Sequence, residues 1–297
     1  MEKSKILKIT LAGIYVAMIY AVQVIWGGNQ LFVGPLVNAL LVLAAATVGL
    51  VPALSVAAVS PVLAAINGIS DSFDKAVAKM GEVLSITGRI LPVTIDDVYL
   101  WAHFEDGSMV VGESKIAAAR NERHSRIKRV ELAPAEAKVL PECINAIEEA
   151  DLIILGPGSL YTSIIPNLLV DGIVNAIINS DALKLYICNV MTQPGETDGY
   201  TVSEHIHELF NHSGGKLFEY SLVNSMSVPQ DILDRYIDDG AEPVREDEES
   251  LGDLGVEIIH TPIIEISGNW VRHDSGKLAR EIMRVFYDKA PTRLYGA

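Results

Sequence analysis

From residue 9 to residue 70 this chain runs for 62 consecutive positions without a single Asp, Glu, Lys or Arg. Few water-soluble domains tolerate such a run, whereas about 20 consecutive apolar residues suffice to span a bilayer as a helix. The pattern predicts spans over residues 9–26 and 31–50, with Gly27, Gly28, Asn29 and Gln30 as the turn between them. Pro52 and Pro61 weaken a third span over residues 51–69. Lys3, Lys5 and Lys8 would hold the N-terminus on the cytoplasmic side, and Trp26 suits a membrane interface. A cleaved signal peptide is the rival reading of the first span, but the apolar run continues past any cleavage point and lacks a small-x-small site. The chain thus reads as an apolar helical segment at residues 1–66, offering membrane contact through residues 9–66, ahead of a second domain at residues 67–297.

Charge separates the two parts. The formal net charge of the 297-residue chain is −15, and residues 71–297 hold 20 basic and 37 acidic side chains. A duplex binder needs a basic face to displace counterions, so this balance argues against nucleic acid as a partner. Cys143 and Cys188 lie far apart and form no C-x-x-C pair. They fit a reducing compartment or simple burial, which places residues 67–297 in the cytoplasm and gives no reason to expect a zinc site or other structural metal.

Residues 73–84 have helical spacing, with Ser70 or Ser72 to cap them and Gly88 to end them. Residues 98–104 and 109–113 alternate around Glu105-Asp106-Gly107-Ser108, a hairpin signal, and residues 127–132 form another short strand. A helix punctuated by Pro134 and Pro141 ends near Ala150. Then come two successive strand–loop–helix units: a strand at 151–155 with a helix at 168–178, and a strand at 185–190 with a helix at 202–210. Such units imply a parallel sheet with right-handed crossovers, and both loops then leave its carboxyl end beside one crevice. A strand at 217–223, a helix at 229–239, a strand at 256–260 and a closing helix capped by Asp274 or Ser275 complete an α/β domain. The acidic run Glu246-Asp247-Glu248-Glu249 reads as a solvated loop.

The first crevice loop is Gly156-Pro157-Gly158-Ser159. Strand, glycine-rich turn and helix start together aim backbone N–H groups at an anion, most often a phosphate, and glycines there let its oxygens approach the backbone. The loop lacks the Lys of a P-loop and the three-glycine spacing of a dinucleotide fingerprint, so an ordinary tight βα turn competes with that reading. The second loop, residues 189–200, is dense in groups that bind rather than pack. Asn189, Thr192, Gln193 and Thr197 offer neutral hydrogen bonds; Glu196 and Asp198, in the turn begun by Gly195, could hold a ribose hydroxyl, a sugar or a divalent metal. A polar loop bonded to itself is the alternative. His205 and His207 stand two apart on a predicted helix and cannot share a metal, His207 and His212 read as structural, and Glu204 and Glu208 as a solvated face. No Ser-His-Asp arrangement is supported by spacing, and Ser159 is better placed to contact a phosphate than to act as a nucleophile.

The segments MGEVLSITGRILPVTIDDVYLWAHFEDGSMVVGESKI, LGPGSLYTSIIPNLLVDGI and NVMTQPGETDGYTVSEHI closely resemble the bacterial gluconeogenesis factors of the YvcK type, which are CofD-like relatives of 2-phospho-L-lactate transferase. The likeness covers about residues 62–297. It implies a Rossmann-like α/β fold, a UDP-sugar ligand such as UDP-N-acetylglucosamine, a homo-oligomer and a regulatory role in cell shape during growth on gluconeogenic carbon, without established catalysis. The transferase branch instead moves a phospholactyl group from a nucleotide-linked donor to a deazaflavin. By position, the nucleotide or sugar contacts fall on Gly156, Pro157, Gly158, Ser159, Asn189, Thr192, Gln193, Gly195, Glu196, Thr197 and Asp198.

The family pattern also has a first strand running into a GGGTG loop, an Asp-Asp-Gly-Gly-Ser motif and a His-Ser-x-Gly-Asn helix start, and this sequence contains none of them. Ala58-Val59-Ser60-Pro61 stands where the last would fall. Residues 32–66 resemble instead a fragment of the substrate-binding component of energy-coupling-factor vitamin transporters. The expectation is a Rossmann-like parallel-sheet domain lacking its usual first strand, preceded by membrane-type helices. A sugar-nucleotide-binding regulator with impaired binding, a CofD-like transferase and a membrane-anchored non-catalytic fusion are the functions it leaves open.

Overall fold

In the computed structural model of this chain, residues 88–118, 125–268 and 270–290 are described, together with Leu11, Ile14, Tyr15, Met18 and Ile19. The chain divides into two compact units, Met1–Ile95 and Asp96–Ala297. In the first, those five isolated positions are helical, with Tyr15 and Ile19 buried and Ile14 and Met18 exposed. The remaining expectations for residues 1–87, the membrane spans and the helix at 73–84, lie outside the described residues. Among the described residues no helix is long and apolar enough to cross a membrane.

The second unit opens with an antiparallel sheet. Strand β1 (Tyr99–Phe104) turns at Gly107, whose φ of 82° suits glycine, into β2 (Met109–Val111), and α1 (Glu113–Ala118) follows. Strand β3 (Ile127–Ala133) pairs with the other edge of β1, from Tyr99↔Ala133 to Phe104↔Ile127. Alternation decides which side is inward: Leu100, Ala102 and Phe104 of β1 are buried, as are Ile127, Val130 and Leu132 of β3.

Helix α2 (Pro141–Glu148) leads into the parallel part. Strand β4 (Leu152–Leu155) is followed by a wide helical turn at Leu160–Ile164, then α3 (Ile165–Leu168) and α4 (Ile173–Asn179). Helical structure thus begins directly after Ser159, eight residues before the sequence expectation at 168, and Gly172 at φ 96° separates α3 from α4. Strand β5 (Leu183–Ile187), α5 (Val202–Ser213), β6 (Tyr220–Asn224), α6 (Gln230–Asp238), α7 (Glu248–Leu251) and β7 (Glu257–Thr261) complete a sheet of order β4-β5-β6-β7, parallel throughout. A hairpin, β8 (Ile264–Ser267) and β9 (Trp270–His273), leads to α8 (Ser275–Lys289), which Asp274 caps by accepting from the Lys277 amide at 2.9 Å.

Every residue of β5 is buried. On one face Leu183, Leu185 and Ile187 form a cluster with Leu222, Ile263 and Leu278, Val285 and Phe286 of α8. On the other, the Tyr186 ring lies 5.3 Å from that of Phe218, which in turn meets Phe210 of α5 at 5.0 Å. A strand covered on both faces has no solvated side, so even Lys184 is buried, its Nζ donating to the Ser180 carbonyl at 2.7 Å. Truncating its centre, Leu185→Ala, is expected to lower the unfolding free energy by about 2–5 kcal/mol in a denaturant titration, because a fully buried leucine leaves a cavity. A loss below about 1 kcal/mol would show that β5 is not the centre of the core.

Candidate functional site

Parallel pairing from Leu152↔Leu183 to Leu155↔Tyr186 brings the carboxyl ends of β4 and β5 side by side, so the two loops predicted to share a crevice leave adjacent strand ends. The first loop starts with Gly156 at φ 81°. A Cβ there would stand 3.0 Å from the Ile187 carbonyl oxygen and 3.2 Å from Ile164 Cδ1, and one on Gly158 would stand 3.3 Å from Ser163 Cβ. The sequence suggested that these glycines make room for a ligand. The contacts give them a different task, letting the loop pass between the end of β5 and the helical turn.

Ser159 begins that turn through its backbone: its carbonyl accepts from the amides of Ser163 at 2.9 Å and Ile164 at 3.0 Å, while its side chain makes no capping bond. The exposed Asn167 secures the next turn, donating to the Ser163 carbonyl at 2.7 Å. Leu160, Tyr161, Ile164 and Ile165 bury the inner face.

The second loop reaches across at two points. Asn189 donates from Nδ2 to the Gly158 carbonyl at 3.0 Å. Seven residues further on, Glu196 Oε1 accepts from Thr162 Oγ1 at 2.9 Å and from Gln193 Nε2 at 2.8 Å. Glu196 is only 3% exposed. Burial pushes its pKa up, Thr162 and the backbone amides of Tyr161 and Thr162 pull it back, and the nearby Glu113 adds like-charge repulsion. The Glu196 carboxyl thus sits close to the amides at the start of the helical turn.

Other loop residues serve the loop itself. Thr192 is zipped to a neighbouring segment, its amide donating to the Glu242 carbonyl at 2.7 Å and its Oγ1 accepting from the Glu242 amide at 2.9 Å. The Gln193 amide donates to Thr197 Oγ1 at 2.8 Å, and the Gly195 amide to Asp198 Oδ2 at 2.7 Å, with Gly195 at φ 89° closing the turn. Pro157 is exposed at the loop tip. Among the described residues no group of three or more His, Cys, Asp or Glu is placed to hold a metal ion.

Below the loops a second layer fixes their base. Tyr200 and Tyr161 share a hydroxyl–hydroxyl bond of 2.8 Å, and burial pushes the Tyr200 phenol up to about 12. Arg126 lies over the Tyr200 ring, 5.0 Å from its centre, and donates to Glu204 Oε1 at 2.7 Å. Glu204 also closes a capping box with Thr201 at the start of α5. Glu204 thus keeps a partly solvated position but is bonded at the helix start, and the acidic run is largely exposed as expected, with Glu246 meeting His260 at 2.7 Å, Asp247 accepting from the Ser203 amide at 3.2 Å, and Glu248 and Glu249 opening α7 rather than lying in a loop. His212 is structural as expected, accepting from the Val130 amide at 3.1 Å and donating to the Glu208 carbonyl at 2.8 Å. His205 is fully buried, its Nδ1 donating to the Thr201 carbonyl at 2.8 Å, and burial lowers its pKa. A cavity of about 290 Å³ lies beside Arg126, Lys128, Tyr200, Glu204 and His207. Of the crevice loops it touches only the last residue, Tyr200.

Thr162 is the site residue that sequence reasoning missed. Its partner lies 34 positions away, and the only local signal was its place within the first helical turn after the loop.

Residues 59–264 match the family model described as 2-phospho-L-lactate transferase CofD. A gluconeogenesis-factor relative from Thermoanaerobacterium thermosulfurigenes is 48% identical over 221 residues, covering 74% of this chain and 68% of that protein. The gluconeogenesis factor of Bacillus subtilis is 46% identical over 218 residues, covering 73% and 68%. A Clostridium acetobutylicum relative is 45% identical over 227 residues, covering 76% of this chain and 50% of its own length. The chain therefore spans between half and about two thirds of these relatives. A crystal structure of a UPF0052-family protein from Bacillus halodurans superposes with a TM-score of 0.70 at 41% identity, covering 74% of this chain and 70% of that one.

Glu196 makes the site's stability pH-dependent with a definite sign. An acid whose folded pKa lies above its ordinary value of 4.5 carries no penalty while protonated in both states, and the full penalty once ionised in both. Relative to wild type, Glu196→Gln is therefore expected to gain unfolding free energy as pH rises through the window above 4.5. Denaturant titrations at several pH values check this, and a difference that stays flat across the window contradicts an ionising buried carboxyl.

Proposed function

Because this chain belongs to the CofD family, in its gluconeogenesis-factor branch, we propose that the crevice between the two loops binds a sugar nucleotide of the UDP-N-acetylglucosamine type and that the protein acts as a binding regulator of central carbon use and cell shape. The observation that supports it most is the bond from Asn189 to the Gly158 carbonyl, which joins the loops after β4 and β5 into one wall. That wall lies outside the carboxyl ends of parallel strands, where open α/β sheets take their ligands. Its side chains are mostly neutral hydrogen-bonding groups around the buried Glu196 carboxyl, with Asp198 in the turn beside it, a composition suited to holding and orienting a sugar nucleotide.

The description of the matching family model favours a second function, transfer of a phosphate-containing group from a nucleotide-linked donor. The two separate on turnover: the regulator binds and releases its ligand unchanged, and the transferase consumes it in the presence of metal and a deazaflavin acceptor. For the regulator, calorimetric titration with UDP-N-acetylglucosamine is expected to give a saturable isotherm. Asn189→Ala is expected to weaken it about tenfold or more, equivalent to about 1.4 kcal/mol. Unchanged affinity in that variant would place the ligand elsewhere, and an isotherm without heat would remove the sugar-nucleotide function.

A further inference from the structure

Where the two loops meet, two side-chain atoms have no hydrogen-bond partner although both are shielded from solvent: Asn189 Oδ1 and Glu196 Oε2. Their sister atoms are committed. Asn189 Nδ2 donates to the Gly158 carbonyl, and Glu196 Oε1 accepts from Thr162 and Gln193. The bond to Gly158 also fixes the orientation of the Asn189 amide, since a carbonyl can accept only from the nitrogen. The free atom is therefore the oxygen.

Asn189 Oδ1 is an acceptor, as is Glu196 Oε2 while the carboxyl is ionised, and an unpaired buried acceptor is costly enough that native structures rarely keep one without a reason. Each belongs to a side chain whose bonded neighbour touches solvent, Gly158 for Asn189 and Gln193 for Glu196. What would satisfy them is a ligand donor: a hydroxyl or an N–H. An ionised phosphate offers only acceptors and would meet a carboxylate.

Resting on the placement of a ligand in this crevice, we propose that the junction of the two loops takes the hydroxyl-bearing part of the ligand, a ribose or a sugar ring, through Asn189 Oδ1 and Glu196 Oε2, and that the ligand's phosphates lie outside it. This reverses the expectation drawn from the Gly156-Pro157-Gly158-Ser159 sequence, which assigned the phosphate to that loop. Ser159 and its glycines then form the packed back of the junction, and acceptor geometry selects the ligand.

The intact chain is titrated separately with uridine, N-acetylglucosamine and inorganic pyrophosphate, each hydroxyl-bearing probe being compared with its deoxy analogues. At least one hydroxyl-bearing probe is expected to bind, and loss of the recognised hydroxyls is expected to weaken it tenfold or more; which probe responds tells ribose from sugar ring. Glu196→Gln, which turns one acceptor into a donor at nearly constant shape, is expected to weaken that probe by a similar factor without weakening pyrophosphate. Binding of pyrophosphate alone, binding of none of the three, or deoxy analogues that bind as well as their parents would overturn the assignment. A loss in Glu196→Gln that is equal for all probes would do the same, and if that variant does not fold, the deoxy series on the wild-type chain decides by itself. Uridine or N-acetylglucosamine binding without UDP-N-acetylglucosamine binding would remove the sugar-nucleotide function and leave this inference standing.

Discussion

The parallel pairing of β4 with β5 is the constraint on which the candidate site depends. Because β5 is buried on both faces, its side chains are spent on packing against α8 on one side and toward Phe218 and α5 on the other. Chemistry is left to the loops that leave the strand ends. Pairing at Leu155↔Tyr186 puts those ends next to each other, and the close approach of Gly156 to the Ile187 carbonyl draws the first loop over the second strand. The two bonds between the loops, from Asn189 to Gly158 and from Thr162 to Glu196, complete what the sheet begins.

Much of this was legible in the chain. Apolar runs at 151–155 and 185–190 marked the two adjacent strands, although β4 ends the sheet order with only Leu155 buried, and the glycine-rich and polar stretches after them marked the loops. Strand limits shifted by a few residues because a buried strand and the buried segment beside it look alike: Leu217 and Phe218 are buried yet precede β6, and Cys188 is buried yet follows β5. The β8–β9 hairpin went unread although Gly268, at φ 62°, sits in its turn. Its strands are four residues each, too short for alternation to stand out.

What the sequence could not show is which polar groups are already taken. Glu204 has the spacing of a solvated helix face, yet Arg126, 78 positions away, reaches it. Asp247 looks like part of a solvated acidic loop, yet it accepts from the Ser203 amide 44 positions away. In the crevice the same ambiguity separates groups of one type: Thr192 and Thr197 are committed within the fold, while Asn189 and Glu196 each keep an acceptor unpaired. Long-range partners are set by topology, so residue type and local spacing carry no trace of them.

Amide hydrogen exchange with and without saturating UDP-N-acetylglucosamine tests most directly whether the two loops form one ligand wall. The clasp predicts that amides in residues 156–163 and 189–198 slow together, because each loop is held by the other. Slowing confined to the cavity beside Arg126 and Lys128, with both loops unchanged, would contradict it.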